Sequence, residues 1–232
     1  MFPFFYNPMF LLFALPALLL GLYAQWKVKS SYARYLQVRN MRGLTGVQAA
    51  DYLLNAAGLV GVSIEGIQGE LTDHYDPRSK TLRLSPGVAN SASVAALGIV
   101  AHEVGHAVQD AQAFGPMRLR AAIVPAVNLG SWLGPILFMV GFMLQSPDLA
   151  TIGILGFAAA AVFALVTLPV ELDASRRALQ MLSSTGLVGT QDMAGARSVL
   201  SAAALTYVAA LVQAISTLLY YAFLLSGMRR DD

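Results

Sequence analysis

Long apolar runs separated by polar stretches dominate the chain. A helix needs about 20 apolar residues to cross a bilayer core. Four uncharged stretches reach that length: one ending at Trp26 with its apolar core at 9–23, then 121–147, 149–170, and the run between Arg197 and Arg229. They predict transmembrane helices at about 9–26, 121–147, 149–170 and 198–228. The first has no basic region before it and no small-residue cleavage site before Trp26 and Lys27. It is therefore expected to be a retained anchor rather than a cleaved signal.

The polar remainder, about 27–120 and 171–197, is expected to face water. Thr45 is placed to cap a helix through about Ala57, with Val47, Ala50 and Leu54 on one side and Gly58 as its stop. Alternation at Val62 and Ile64, a strand-like run from Leu71 to Tyr75, a turn at Asp76-Pro77-Arg78-Ser79, and alternation at Leu82 and Leu84 predict a small sheet with a β-hairpin. Ser91 or Ser93 is suited to cap a helix from about Val94 to Gln112. The expected fold is mainly α: about four transmembrane helices and a small water-facing α+β region, taken as one domain over 1–232.

Composition agrees with a membrane protein. Only 12% of the 232 residues are charged, against about 25% in soluble proteins. A formal charge of +2 gives no case for nucleic acid. The placement of the basic residues is more informative. Ten of them, from Lys27 to Arg120, lie between the first two spans, and Arg176, Arg177 and Arg197 lie between the last two. The turn between the second and third spans holds only Asp148. Lys and Arg mark cytoplasmic loops, so both polar segments are expected on the cytoplasmic side, with the termini outside. Arg229 and Arg230 run against that assignment. The absence of cysteine excludes disulfides, thiolate ligands and a cysteine nucleophile.

The chain's chemistry concentrates on the predicted helix 94–112, at His102-Glu103-Val104-Gly105-His106, an HExxH motif. Residues four apart share a helix face, so both imidazoles reach one cation. Glu103, about 100° round the helix, faces the open side of that cation. Zinc lowers the pKa of a water it holds to about 7, and a neighbouring carboxylate takes the proton as the water attacks a carbonyl. Two of only three histidines fall in this motif. A catalytic zinc takes a third protein ligand, and Glu171, at the end of the third span, is the expected one. An acid there costs several kcal/mol unless it is used or solvated; pairing with Arg176 and Arg177 is the structural alternative. Asp173 is expected to support a zinc-bound imidazole. His74 is a competing ligand or oxyanion donor, and Tyr75 and Tyr207 are weaker candidates of that kind.

These residues carry a resemblance. Asp73-His74-Tyr75-Asp76-Pro77, the run Val100 to Gln109, the run Pro169 to Ala178 and the run Ala202 to Ala209 together resemble the YugP-like neutral zinc metallopeptidases of bacteria. More distantly the layout is similar to the HtpX and CAAX prenyl proteases. The resemblance implies a zincin-like metalloendopeptidase with one catalytic Zn2+, Glu171 as third ligand and Glu103 as general base. Ser175 departs from the aspartate that the distant relatives carry four residues after the glutamate, and Asp173 is the expected substitute. A polypeptide substrate is expected to add as a strand along Leu71, Thr72, Asp73, His74 and Tyr75, with membrane lipids as the other partner. Glycines in the spans suit close helix packing, including a homo-oligomer or a membrane-protein partner. Two alternatives remain open at this point: a site-2-type intramembrane protease using Asp173 as third ligand, and a non-proteolytic membrane scaffold.

Overall fold

The computed structural model describes residues 8–228; Arg229 and Arg230 lie outside the described residues. Each apolar run forms a helix, since a chain crossing hydrocarbon must pair every backbone N–H and C=O internally. These are α1 (Pro8–Leu36), α5 (Gly115–Met143), α6 (Pro147–Ser184) and α7 (Thr190–Met228). Among the described residues they are the helices long and apolar enough to cross a membrane. All four extend beyond their apolar stretches into polar sequence, because nothing in Lys27–Leu36 or Glu171–Ser184 breaks a helix. The turn between α5 and α6 falls earlier than expected. Helix α5 stops at Met143, Gln145 takes a φ of 52°, and Pro147 opens α6, where its missing N–H costs no hydrogen bond.

The chain divides into two compact units, and α1, α5, α6 and α7 each supply residues to both. Of the described residues, 8–24, 119–168 and 206–228 form the first unit. Here α5 and α6 touch backbone to backbone. A Cβ placed on Gly134 would lie 2.5 Å from Phe157 N, so only glycine permits the approach. Phe138 is fully buried and stacks on Tyr221 with ring centroids 4.2 Å apart. Leu12, Leu18, Leu19, Leu22, Leu155 and Leu165 are each more than half exposed, as suits side chains that meet lipid.

Gln25–Arg118 and Pro169–Leu205 form the second unit. It contains α2 (Gly46–Ala56), β1 (Ser63–Gly66), β2 (His74–Asp76), β3 (Thr81–Leu84), α3 (Pro86–Ala89) and α4 (Val94–Ala111). Thr45 caps α2 in a capping box with Gln48. The sheet order is β1-β3-β2, with β1 parallel and β2 antiparallel to β3, so β2 is an edge strand. Strand β2 is shorter than the expected run from Leu71: positive φ at Gly69 (106°) and Leu71 (56°) holds the chain out of extended geometry until His74. Leu82, Leu84, Leu53, Val100, Val104 and Leu182 build one core beneath α4. That burial fixes α4, and with it the site.

Candidate metal centre

Helix α4 begins at Ser93, whose Oγ accepts from Ala96 N at 3.1 Å. This satisfies one of the orphan donors of the first turn. Two glycines let neighbouring backbone come close. Gly98 faces Ala196 of α7, and a Cβ on Gly105 would lie 2.7 Å from Ala174 O of α6. His102 and His106 project from the same face, ring centroids 4.7 Å apart and nearly perpendicular.

Glu171 of α6 meets both rings. Its Oε2 lies 3.2 Å from His102 Nε2 and 3.4 Å from His106 Nε2, and the carboxylate is buried. Among the described residues, His102, His106 and Glu171 form the group able to hold a metal ion, with donor atoms within 4.8 Å of one another. The spacing fits zinc. Ligands at about 2.0–2.1 Å in tetrahedral geometry stand about 3.3 Å apart. The donor chemistry fits as well, since both Nδ1 atoms are engaged elsewhere: His102 Nδ1 faces Ser175 Oγ at 3.1 Å, and His106 Nδ1 faces Gln109 Oε1 at 3.0 Å. Both Nε2 atoms are thereby directed to the shared carboxylate.

Glu103 sits beside this cluster and is buried. Its Oε2 accepts from Tyr75 N on β2 at 3.0 Å. Burial raises its pKa, opposed by the neighbouring imidazoles of His102 and His106. Burial pulls His106 the other way, but the carboxylates of Glu171 and Glu103 more than offset it, and its pKa is raised. The centre thus pairs a carboxylate that resists ionising with imidazoles surrounded by negative charge.

Asp173 does not reach an imidazole. Two residues on a helix differ by about 200°, so it leaves the side on which Glu171 stands. It accepts from Gln109 Nε2 at 2.9 Å and from Arg177 Nε at 2.5 Å, and it pairs with Arg176. The support expected of it passes through Gln109, a fully buried residue that the sequence reading did not single out. Its place three residues after His106, on the same helix face, was the available signal. Ser175, where the distant relatives carry aspartate, takes the position beside His102.

The side chains of His74, Tyr75, Asp73 and Thr72 have partners of their own. His74 points to the face of β2 opposite Tyr75, across from Arg83, and donates from Nδ1 to Thr72 O at 2.9 Å. The Tyr75 hydroxyl donates to Asp110 at 2.9 Å, and burial raises its pKa. Asp73 accepts from Ser85 N at 2.7 Å and Ser85 Oγ at 3.0 Å, and Thr72 bonds Gln68 O. Leu71 is exposed. Tyr207 is half-buried on α7 in the first unit.

The family described as "Putative neutral zinc metallopeptidase" matches residues 10–226. The chain is similar to "Putative membrane protease YugP" of Bacillus subtilis, 41% identical over 224 residues, covering 97% of this chain and all of that protein. No solved structure matches.

Proposed function

Because the chain belongs to the neutral zinc metallopeptidase family, we propose that it is a membrane zinc endopeptidase using Glu103 as general base. The observation that carries this reading is the convergence of two imidazole Nε2 atoms on one oxygen of Glu171, at 3.2 and 3.4 Å. His102, His106 and Glu171 would hold the zinc, which when bound would supply Lewis acidity, making water more acidic and polarising a peptide carbonyl.

The chain's own residues supply the rest. Glu103 stands next to His102 with its Oε2 held by Tyr75 N–H, so its second oxygen is free to be aimed at a water. It takes the proton as the water attacks the peptide carbonyl and passes it to the leaving amine, which breaks the C–N bond. The polypeptide substrate adds along the outer edge of β2. Tyr75 N–H is already committed to Glu103, so a strand docking there meets the general base at that point of the edge. The centre faces the cytoplasm, because the basic loops belong to the same segments of chain.

Asp173 is occupied by Gln109, Arg176 and Arg177, which favours Glu171 over Asp173 as third ligand and disfavours the site-2-type alternative. The test is metal content and cleavage of an unfolded casein-type substrate by detergent-purified protein. Glu103→Ala is expected to keep zinc and lose cleavage by at least two orders of magnitude, in line with ~10²–10⁴-fold for general acid–base groups. Glu171→Ala is expected to lose both. Zinc occupancy with no turnover, unchanged by Glu103→Ala, would instead mark a non-proteolytic scaffold.

A further inference from the structure

We propose that Gln109 is a positioning residue: its side-chain amide imposes the Nδ1–H tautomer on His106 and so presents the Nε2 lone pair to the metal. The inference rests on the metal centre proposed above.

The assignment follows from what surrounds the amide. Gln109 is fully buried. One end of its amide lies 2.9 Å from Val170 O and 2.9 Å from an Asp173 carboxylate oxygen. A backbone carbonyl has no proton to give, and the Asp173 carboxylate is held between two guanidiniums. Both are acceptors, so that end must be the NH2 group, and each of its hydrogens is used. Turning the amide over would set three acceptor oxygens against one another in a dry site. The other end is therefore the carbonyl oxygen, which lies 3.0 Å from His106 Nδ1. An oxygen that can only accept requires a proton on Nδ1, and in the neutral ring this leaves Nε2 with its lone pair exposed.

The contact at His102 is not constrained in this way. Ser175 beside His102 Nδ1 is a hydroxyl that can donate or accept, so it tolerates either tautomer. Among the described residues no carboxylate touches either Nδ1 atom directly, unlike the carboxylate–histidine–zinc arrangement common at such sites. Asp173 acts one group further back, by fixing which way the amide faces. The imidazole is thus oriented by a neutral dipole, and the negative charge behind it is spent on Arg176 and Arg177.

The test uses the full chain in detergent. Zinc affinity is measured by chelator competition, and the Co2+-loaded protein is examined by its visible absorption. Gln109→Met matches the volume but has no acceptor oxygen. It is expected to weaken zinc binding by 10- to 100-fold, the range typical when a group that orients a metal ligand is lost, and to alter the cobalt spectrum. Gln109→Glu keeps an oxygen opposite Nδ1 while giving up both N–H donations, and is expected to bind zinc more tightly than Gln109→Met. A packing role would reverse that order, since a buried site accepts methionine more readily than an added charge. Ser175→Ala is expected to cost less than Gln109→Met.

A measurement on unaltered protein stands independently of whether the variants fold. With 15N-labelled histidine and only three histidines in the chain, zinc-loaded wild type is expected to show His106 protonated at Nδ1. A bare Nδ1 there overturns the proposal. So does a Gln109→Met protein that binds zinc like wild type with an unchanged cobalt spectrum, and in that case the metal centre itself survives. Failure of wild type to bind zinc removes both.

Discussion

Asp76 closes the β2–β3 hairpin with three hydrogen bonds: from Arg78 N at 3.0 Å, Ser79 Oγ at 2.9 Å and Arg83 Nη1 at 3.0 Å. The Arg78 backbone N–H is the largest influence on the carboxyl, followed by Ser79 and Arg83, and together they lower its pKa from 3.8 to about 2. A carboxylate with a lowered folded-state pKa contributes stability that is present above the unfolded value and lost as pH falls through the folded one. Asp76→Asn is therefore expected to lower the thermal midpoint at neutral pH. Its gap from wild type should close only as pH drops from 3.8 towards about 2. Midpoints of both proteins across that range test this, and a gap independent of pH would show that charge is not what Asp76 contributes. The turn was legible because Asp-Pro-Arg-Ser is turn chemistry. Gln109 was not, because a glutamine within an apolar helix reads as neutral until its acceptors on α6 are in place. Glu171 was legible for the opposite reason: an acid at the end of an apolar run is costly enough to need a purpose.

Between elements, the centre depends on how closely α4 and α6 approach. Gly105 lies between the two histidine-bearing turns, and any Cβ there would press to 2.7 Å from Ala174 O. Backbone cannot swing aside as a side chain can, so Gly105→Ala must displace one helix. The displacement separates the imidazoles of α4 from the carboxylate of α6. Gly105→Ala is expected to cost about 1–3 kcal/mol, as overpacking does, and to weaken zinc binding. Gly61→Ala, where a Cβ meets nothing within 4 Å, serves as the control. Thermal unfolding and zinc titration in detergent measure both effects; a Gly105→Ala protein with unchanged zinc affinity would detach the centre from this packing. Helix α4 itself could be read from its serine cap and its i,i+4 histidines. The sheet could be read only in part. The parallel pairing of β1 with β3 depends on contacts distant in sequence, and the late start of β2 depends on a positive φ at Leu71, a residue type that gives no warning of it.

For the molecule as a whole, the charge distribution bears directly on which side of the membrane the centre faces. Lys27, Lys29, Arg34, Arg39, Arg42, Arg78, Lys80, Arg83, Arg118 and Arg120 all fall between the first and second apolar stretches, whereas the α5–α6 connection carries no basic residue. Positive loops are retained in the cytoplasm. On the proposed orientation a substrate reaching β2 would come from the cytoplasm or from the inner face of the membrane. The chain has no cysteine, so a single introduced thiol reports its own location without background. Val60 is 84% exposed in the connection between α2 and β1, and Asp148 is exposed at the start of α6. In intact cells a membrane-impermeant maleimide is expected to label Asp148→Cys and to leave Val60→Cys unlabelled. Permeabilising the cells should expose Val60→Cys in turn. The reverse pattern would place the metal centre on the outer side, where a protease would meet secreted or periplasmic chains. Zinc binding by His102, His106 and Glu171 would be unaffected, since that geometry is contained within one unit of the chain.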